Sequence, residues 1–238
     1  KVLQMKYIKA LIYYLRSSNV ATDPSLDALF KIIKELDRKS DKQNMERFDS
    51  YPIAKRLYQE DQHLLDYIKT NNFKEGTLGS DLKKFWSEQT VDLLKEYASR
   101  INHKDAKRKR FIDLFWIQHD IIHFMNGYNT TPLAEAAVLS FTIAQEKRPS
   151  FVLFLVAGWF VTMKHGFLNP FRYLRICYES YKRGKKSEWF MIVDWKQHLN
   201  KETSKVKELL NLQEPPKFWN KFLDEYMRLH NYLKRKAA

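Results

Sequence analysis

The 238 residues carry 42 Lys plus Arg against 28 Asp plus Glu, a net charge of +14, with 44% hydrophobic and 15% aromatic side chains. That apolar share excludes a disordered chain, and six glycines with seven prolines supply few tight turns for an all-β fold, so the expected class is all-α, a single multi-helix bundle over 1–238. Cys177 is the one cysteine, which excludes an intrachain disulfide and a cysteine-built zinc site and fits a reducing compartment.

Lys1 to Leu15 lack an apolar core followed by a small-residue cleavage site, so no secretory signal is expected. Tyr7, Ile8, Leu11, Ile12 and Leu15 share one helical face, which predicts a helix ending near Ser17-Ser18. Asp23 as N-cap and Pro24 at the first helical position start another, with Leu26, Leu29, Phe30, Ile33 and Leu36 inward. The charge-rich stretch Arg38–Asp49 reads as a loop. Pro52 opens a short helix through Leu57, and Asp61–Thr70 reads as the next. Gly76-Thr77-Leu78-Gly79 is the clearest turn and leads into one or two helices across Leu82–Arg100.

Two central helices follow at about Ala106–Asn126 and Pro132–Lys147, then an apolar helix from about Ser150 and another over Pro170–Arg183. Glu188–Trp195, Glu202–Leu210 and Lys217–Lys234 complete the chain, and no period-2 strand or internal repeat is visible. The most apolar run, Phe151–Met163, is thirteen residues long, against the ~20 that a membrane-spanning helix needs. No span is expected. Basic residues gather at Lys104–Arg110, Lys182–Lys186 and Lys234–Lys236, each read as a solvated helix end or loop. The positive field favours phosphates and anionic lipid surfaces, and no recognition motif accompanies it to indicate nucleic acid.

One constellation carries chemistry. On a helix turning about 100° per residue, His119, Asp120 and His123 fall within one arc about 100° wide. Gly127 suits a helix C′ position, and Thr131-Pro132 suits an N-cap with proline at N1, so an antiparallel hairpin is expected to bring Glu135 level with that arc. Two imidazoles and two carboxylates make a mixed nitrogen and oxygen set suited to zinc, iron(II) or manganese. The ordinary alternative makes Glu135 part of a capping box. With Thr131 as the cap, however, the third helical position is Ala134, and Glu135 comes one residue late. The histidine-bearing helix has no fully polar side, so its acids would be costly without a partner or an ion.

The string His119-Asp120-x-x-His123-x11-Glu135, with Gly127 four residues past the second histidine, resembles the signature of the Coq-four family of ubiquinone-biosynthesis proteins. Asp23-Pro24-x-x-Asp27, Glu75-Gly76-Thr77-Leu78-Gly79 followed by Phe85, and Val193-Asp194-Trp195 with Leu199 are similar as well, so the resemblance covers about residues 17–212. It departs at Phe115-Trp116-Ile117-Gln118 and Ala136-Ala137-Val138-Leu139, where the family is basic or polar.

The resemblance implies an all-helical protein that associates peripherally with membranes, and the expected location is cytoplasmic, peripheral to the inner (cytoplasmic) membrane. It implies a metal on His119, Asp120, His123 and Glu135, usually zinc, with iron, manganese or magnesium as alternatives. It implies action on a polyprenylated 4-hydroxybenzoate, with removal of the C1 carboxylate, or else a non-catalytic isoprenoid-binding scaffold for other quinone enzymes; a homodimer is compatible with either. Trp159 and Phe160 are candidate lipid contacts, with ordinary core packing as the competing explanation. A rival from a different class, a His-Asp phosphohydrolase, would use His103, His119-Asp120 and Asp194, and leaves His123 and Glu135 unexplained.

Overall fold

A computed structural model describes residues 26–60, 63–88, 105–129, 131–166 and 169–237. The expected helix near Lys6–Leu15, the Asp23-Pro24 start, the segment from residue 89 to Arg100 and His103 lie outside these. Every regular element among the described residues is helical. In chain order they are α1 (Leu26–Asp49), α2 (Ile53–Gln59), α3 (Leu64–Thr70), α4 (Leu78–Glu88), α5 (Ala106–Met125), α6 (Pro132–Gln145), α7 (Pro149–His165), α8 (Pro170–Lys186), α9 (Thr203–Leu209) and α10 (Phe218–Ala237). Two short 3-10 turns, Phe190–Ile192 and Trp195–His198, stand where a helix over Glu188–Trp195 was expected. The chain divides into two compact units, one of residues 1–42, 129–185 and 214–238, the other of residues 43–128 and 186–213.

The stretch Arg38–Asp49 is not a loop; α1 runs unbroken through it. Asp37, Ser40, Asp41, Asn44 and Phe48 are all buried and recur at helical spacing. The periodicity is therefore real but written in polar residues, which a search for apolar faces passes over. The partners of the two acids come from far along the chain. Asp37 accepts from the Ser150 backbone N–H at 2.8 Å and from Ser150 Oγ at 2.5 Å, and the buried Arg148 guanidinium pairs with Asp41 and with Glu146. A buried charge is tolerable only when paired and hydrogen-bonded in this way.

In the first unit α6 packs on α7, and α10 rests on α6. The core includes Leu133, Ala134, Ala137, Phe141, Phe151, Ala157, Tyr173 and Ile176. Tyr173 on α8 donates its hydroxyl to the Leu155 carbonyl at 3.1 Å, beside Gly158 of α7. Arg172 and Arg175 on α8 lie over the rings of Phe222 and Phe218 on α10, and Arg172 pairs with Glu225. Burial pushes the Cys177 thiol up to about 11, which keeps it protonated and inert at neutral pH.

In the second unit α4 docks through its N-terminus. The Leu78 and Gly79 N–H groups donate to the carbonyls of Lys201 (2.9 Å) and Leu199 (2.8 Å), which gives acceptors to two of the donors that a helix start leaves open. Gly76 at φ 78° makes the turn that precedes it, and a Cβ on Gly79 would lie 2.5 Å from the Phe73 ring. Thr203 Oγ1 then donates to Asp81 at 2.5 Å, and Phe85 meets Phe124 of α5 edge to face.

The packing and the buried charges of the first unit each have a measurable effect on stability. A Cβ at position 184 would sit 2.5 Å from the Phe141 carbonyl oxygen, which is backbone and cannot step aside. Gly184→Ala is expected to lose about 1–3 kcal/mol in chemical denaturation. Burial raises the Asp37 carboxyl to about 6, partly offset by Arg148 and Ser150. A carboxyl whose folded pKa is raised contributes stability that is present below its unfolded value and lost as pH climbs through the folded one. Relative to Asp37→Asn, the native protein should therefore gain about 2–3 kcal/mol as pH falls from 7 to 4, read from paired unfolding curves across that range.

Candidate metal centre

Asp105 caps α5, its carboxylate accepting from the backbone N–H groups of Lys107 (2.9 Å) and Arg108 (3.3 Å). The basic run that begins the helix is largely tied to its own unit: Lys107 pairs with Asp49, Lys109 with Asp113, and Arg110 reaches the Leu57 carbonyl at 3.2 Å and Glu60 at 3.7 Å. Beyond it the helix sinks into the core. Phe111, Phe115, Ile117, Ile121, Ile122 and Met125 are buried, and so are Gln118, His119 and His123.

The two imidazoles are 8% and 3% exposed, with ring centroids 5.0 Å apart. One helical turn separates them, so the spacing of four residues alone stacks them on one face. The end of the helix fixes the second. Tyr128 N–H donates to the His123 carbonyl at 2.9 Å and Gly127 N–H to that of Phe124 at 3.0 Å, a Schellman cap that Gly127 permits with φ 62°. The backbone of a candidate ligand is thereby part of the cap itself.

The register argued from sequence for α6 holds. Thr131 Oγ1 accepts from the Ala134 N–H at 3.3 Å, Pro132 occupies the first turn, and Glu135 donates its own N–H to the Thr131 carbonyl at 2.8 Å. Its side chain is therefore not spent on the cap. His119, His123 and Glu135 each offer one ligand atom, and these atoms all lie within 4.8 Å of one another, a group that can hold a metal ion. Two imidazole nitrogens and a carboxylate oxygen are the donor set of three-ligand zinc sites that keep a further position for water or substrate.

Asp120 is not in that group; its Oδ2 accepts the indole N–H of Trp86, on α4, at 3.3 Å. Trp86 was not singled out from the sequence. Its only signal there is an aromatic next to Phe85 on the inward side of an amphipathic helix. Gln118 was likewise placed only within an apolar departure from the family pattern, yet its buried Oε1 accepts from Trp195 Nε1 at 2.8 Å and so fastens the Val193-Asp194-Trp195 segment to α5. Asp194, needed by the phosphohydrolase alternative, is ion-paired with Arg56 and does not belong to the metal-capable group. Trp159 is half-buried and meets Phe160 edge to face, while Phe160 is 43% exposed on α7.

A family model for coenzyme Q (ubiquinone) biosynthesis protein Coq4 matches residues 54–216. No curated protein matches the chain significantly. Among solved structures, the chain is similar to a Nostoc punctiforme protein that carries the name of a ubiquinone biosynthesis protein. The TM-score is 0.66 and the identity 19%, and the match covers 87% of this chain and 97% of that one, which shows a shared fold.

Elemental analysis of protein purified without chelator or tag metal is expected to find about one equivalent of zinc per chain. His123→Ala and Glu135→Ala should lose it while remaining folded. His198→Ala, which changes a histidine outside the group, should retain it.

Proposed function

The chain belongs to the Coq4 family and its role lies in ubiquinone biosynthesis; from that premise we propose a metal-dependent enzyme that removes the C1 carboxylate from a polyprenylated 4-hydroxybenzoate. The single observation that supports it is the group formed by the buried His119 and His123 with the half-buried Glu135. Zinc suits this donor set best, with iron(II), manganese or magnesium as alternatives. When bound, such an ion supplies Lewis acidity toward a carboxylate or phenolic oxygen of the head group.

The chain's own residues do the rest. His119, His123 and Glu135 would hold the ion, and Asp120 adds a second carboxylate on the neighbouring arc of the helix. His119 and His123 are themselves buried, and Trp116 meets the His119 ring edge to face at 5.6 Å, so little water reaches the imidazoles and electrostatic interactions there are strengthened. In the reaction the bond from C1 to the carboxyl carbon breaks, carbon dioxide leaves, the electron pair remains on the ring, and a proton takes the vacated position.

A substrate with an isoprenoid tail comes from a membrane. No described helix is long and apolar enough to cross one. Instead α7 exposes Val152, Val156, Phe160 and Met163, and α8 exposes Phe171, Leu174, Tyr178 and Tyr181, each set at the spacing of one helical stripe. Lys164 follows the first stripe, and Arg175, Lys182, Lys185 and Lys186 are exposed on α8 beside the second. Apolar stripes with cationic neighbours favour peripheral association with an anionic bilayer, and Trp159 with Phe160 become candidate tail contacts.

The test presents carboxyl-labelled polyprenyl 4-hydroxybenzoate in vesicles and counts released carbon dioxide. Turnover is expected with native protein on anionic vesicles, at least tenfold less on neutral vesicles or with Phe171→Glu, and none with His123→Ala. Lipid binding without any release by the native protein would replace the enzyme with a carrier or scaffold.

A further inference from the structure

The turn Gly76-Thr77-Leu78-Gly79 and the helix after it hold no residue of the metal-capable group, yet the second unit invests many contacts in fixing them. The helix start is held by the carbonyls of Leu199 and Lys201, its first turn by Thr203 on Asp81, and its far end by Phe85 on Phe124. Gly79 brings the Phe73 ring so close that no Cβ fits. What this docking delivers to α5 is the indole of Trp86, 5% exposed, whose N–H donates to Asp120 Oδ2 at 3.3 Å.

Asp120 follows His119 directly and precedes His123 by three residues, which on a helix puts it about 100° around from the first and about 60° from the second. On its own an aspartate has several rotamers open to it. A buried indole N–H without an acceptor is costly, and the Asp120 carboxylate oxygen 3.3 Å away supplies one. The partner thus selects one orientation of the Asp120 carboxylate before any ion arrives. Outer partners of this type orient a metal site and raise its affinity.

We infer that Trp86 is a positioning residue of the metal centre, orienting Asp120 beside the His119 and His123 ligands through its indole N–H. The inference rests on the metal-binding reading of that group. It also explains why the glycine turn is held so firmly, since the turn sets the α4 docking that carries Trp86 to Asp120.

The test is a double-mutant cycle on zinc affinity, measured by competition with a chromophoric chelator on full-length protein. Trp86→Phe is expected to weaken zinc binding roughly tenfold or more. The same change in an Asp120→Ala background should cost less than twofold, because its target is gone. Unchanged affinity in Trp86→Phe, or an equal loss in both backgrounds, overturns the inference and leaves Trp86 a packing residue. Should Trp86→Phe fail to fold by circular dichroism, nitrogen-labelled tryptophan in the otherwise native protein decides instead. The Trp86 indole N–H resonance, assigned through its shift in Asp120→Asn, must move on zinc addition, and its indifference to zinc overturns the inference. If native protein binds no zinc at all while that resonance still reports the bond to Asp120, the metal reading itself has failed.

Discussion

Placing two imidazoles and an acid within a few ångströms of one another among apolar side chains costs free energy, because each polar group gives up water and regains only what the protein supplies. In this chain that constraint falls on α5. The helix buries Phe111, Phe115, Ile121, Ile122 and Met125 as well as Gln118, His119 and His123, so it has almost no face left for solvent. Much of the second unit answers it: Trp195 satisfies Gln118, Trp86 donates to Asp120, and the cap at Gly127 closes on the His123 carbonyl. A divalent ion on His119, His123 and Glu135 would complete the same compensation with charge.

The first unit meets a similar problem with different chemistry. Three acids, Asp37, Asp41 and Glu146, are buried with one guanidinium, Arg148, and the backbone and hydroxyl of Ser150. Here the one guanidinium is shared by Asp41 and Glu146, and the Ser150 donors serve Asp37, whose carboxyl burial raises to about 6. The arrangement ties α1 to the start of α7, the helix that then exposes an apolar stripe from Val152 to Met163.

The sequence was legible where a residue has a local reason to be where it is. Thr131 and Pro132 set the start of α6, Gly127 ends α5, and the four-residue spacing stacks His119 on His123, all from rules that act within one turn of helix. It was illegible where the reason is distant. The polar face of α1 looks like a loop until Arg148 and Ser150, more than a hundred residues later, are seen to complete it. Trp86 has no motif and gains meaning only from a partner 34 positions away. The Glu188–Trp195 segment carries apolar residues at helical spacing, yet it breaks into 3-10 turns as Trp189, Phe190 and Trp195 are drawn into separate aromatic contacts with Arg47, Tyr51 and each other.

Everything proposed for the site depends on the ion, and X-ray absorption at the zinc edge of zinc-loaded native protein looks at its ligands without an intermediary. The expected spectrum has a first shell of nitrogen and oxygen only, at about 2.0–2.1 Å, with outer scattering from two imidazoles and none from sulfur. Zinc that shows a sulfur shell, fewer than two imidazoles, or the spectrum of the fully hydrated ion would contradict a centre built on His119, His123 and Glu135.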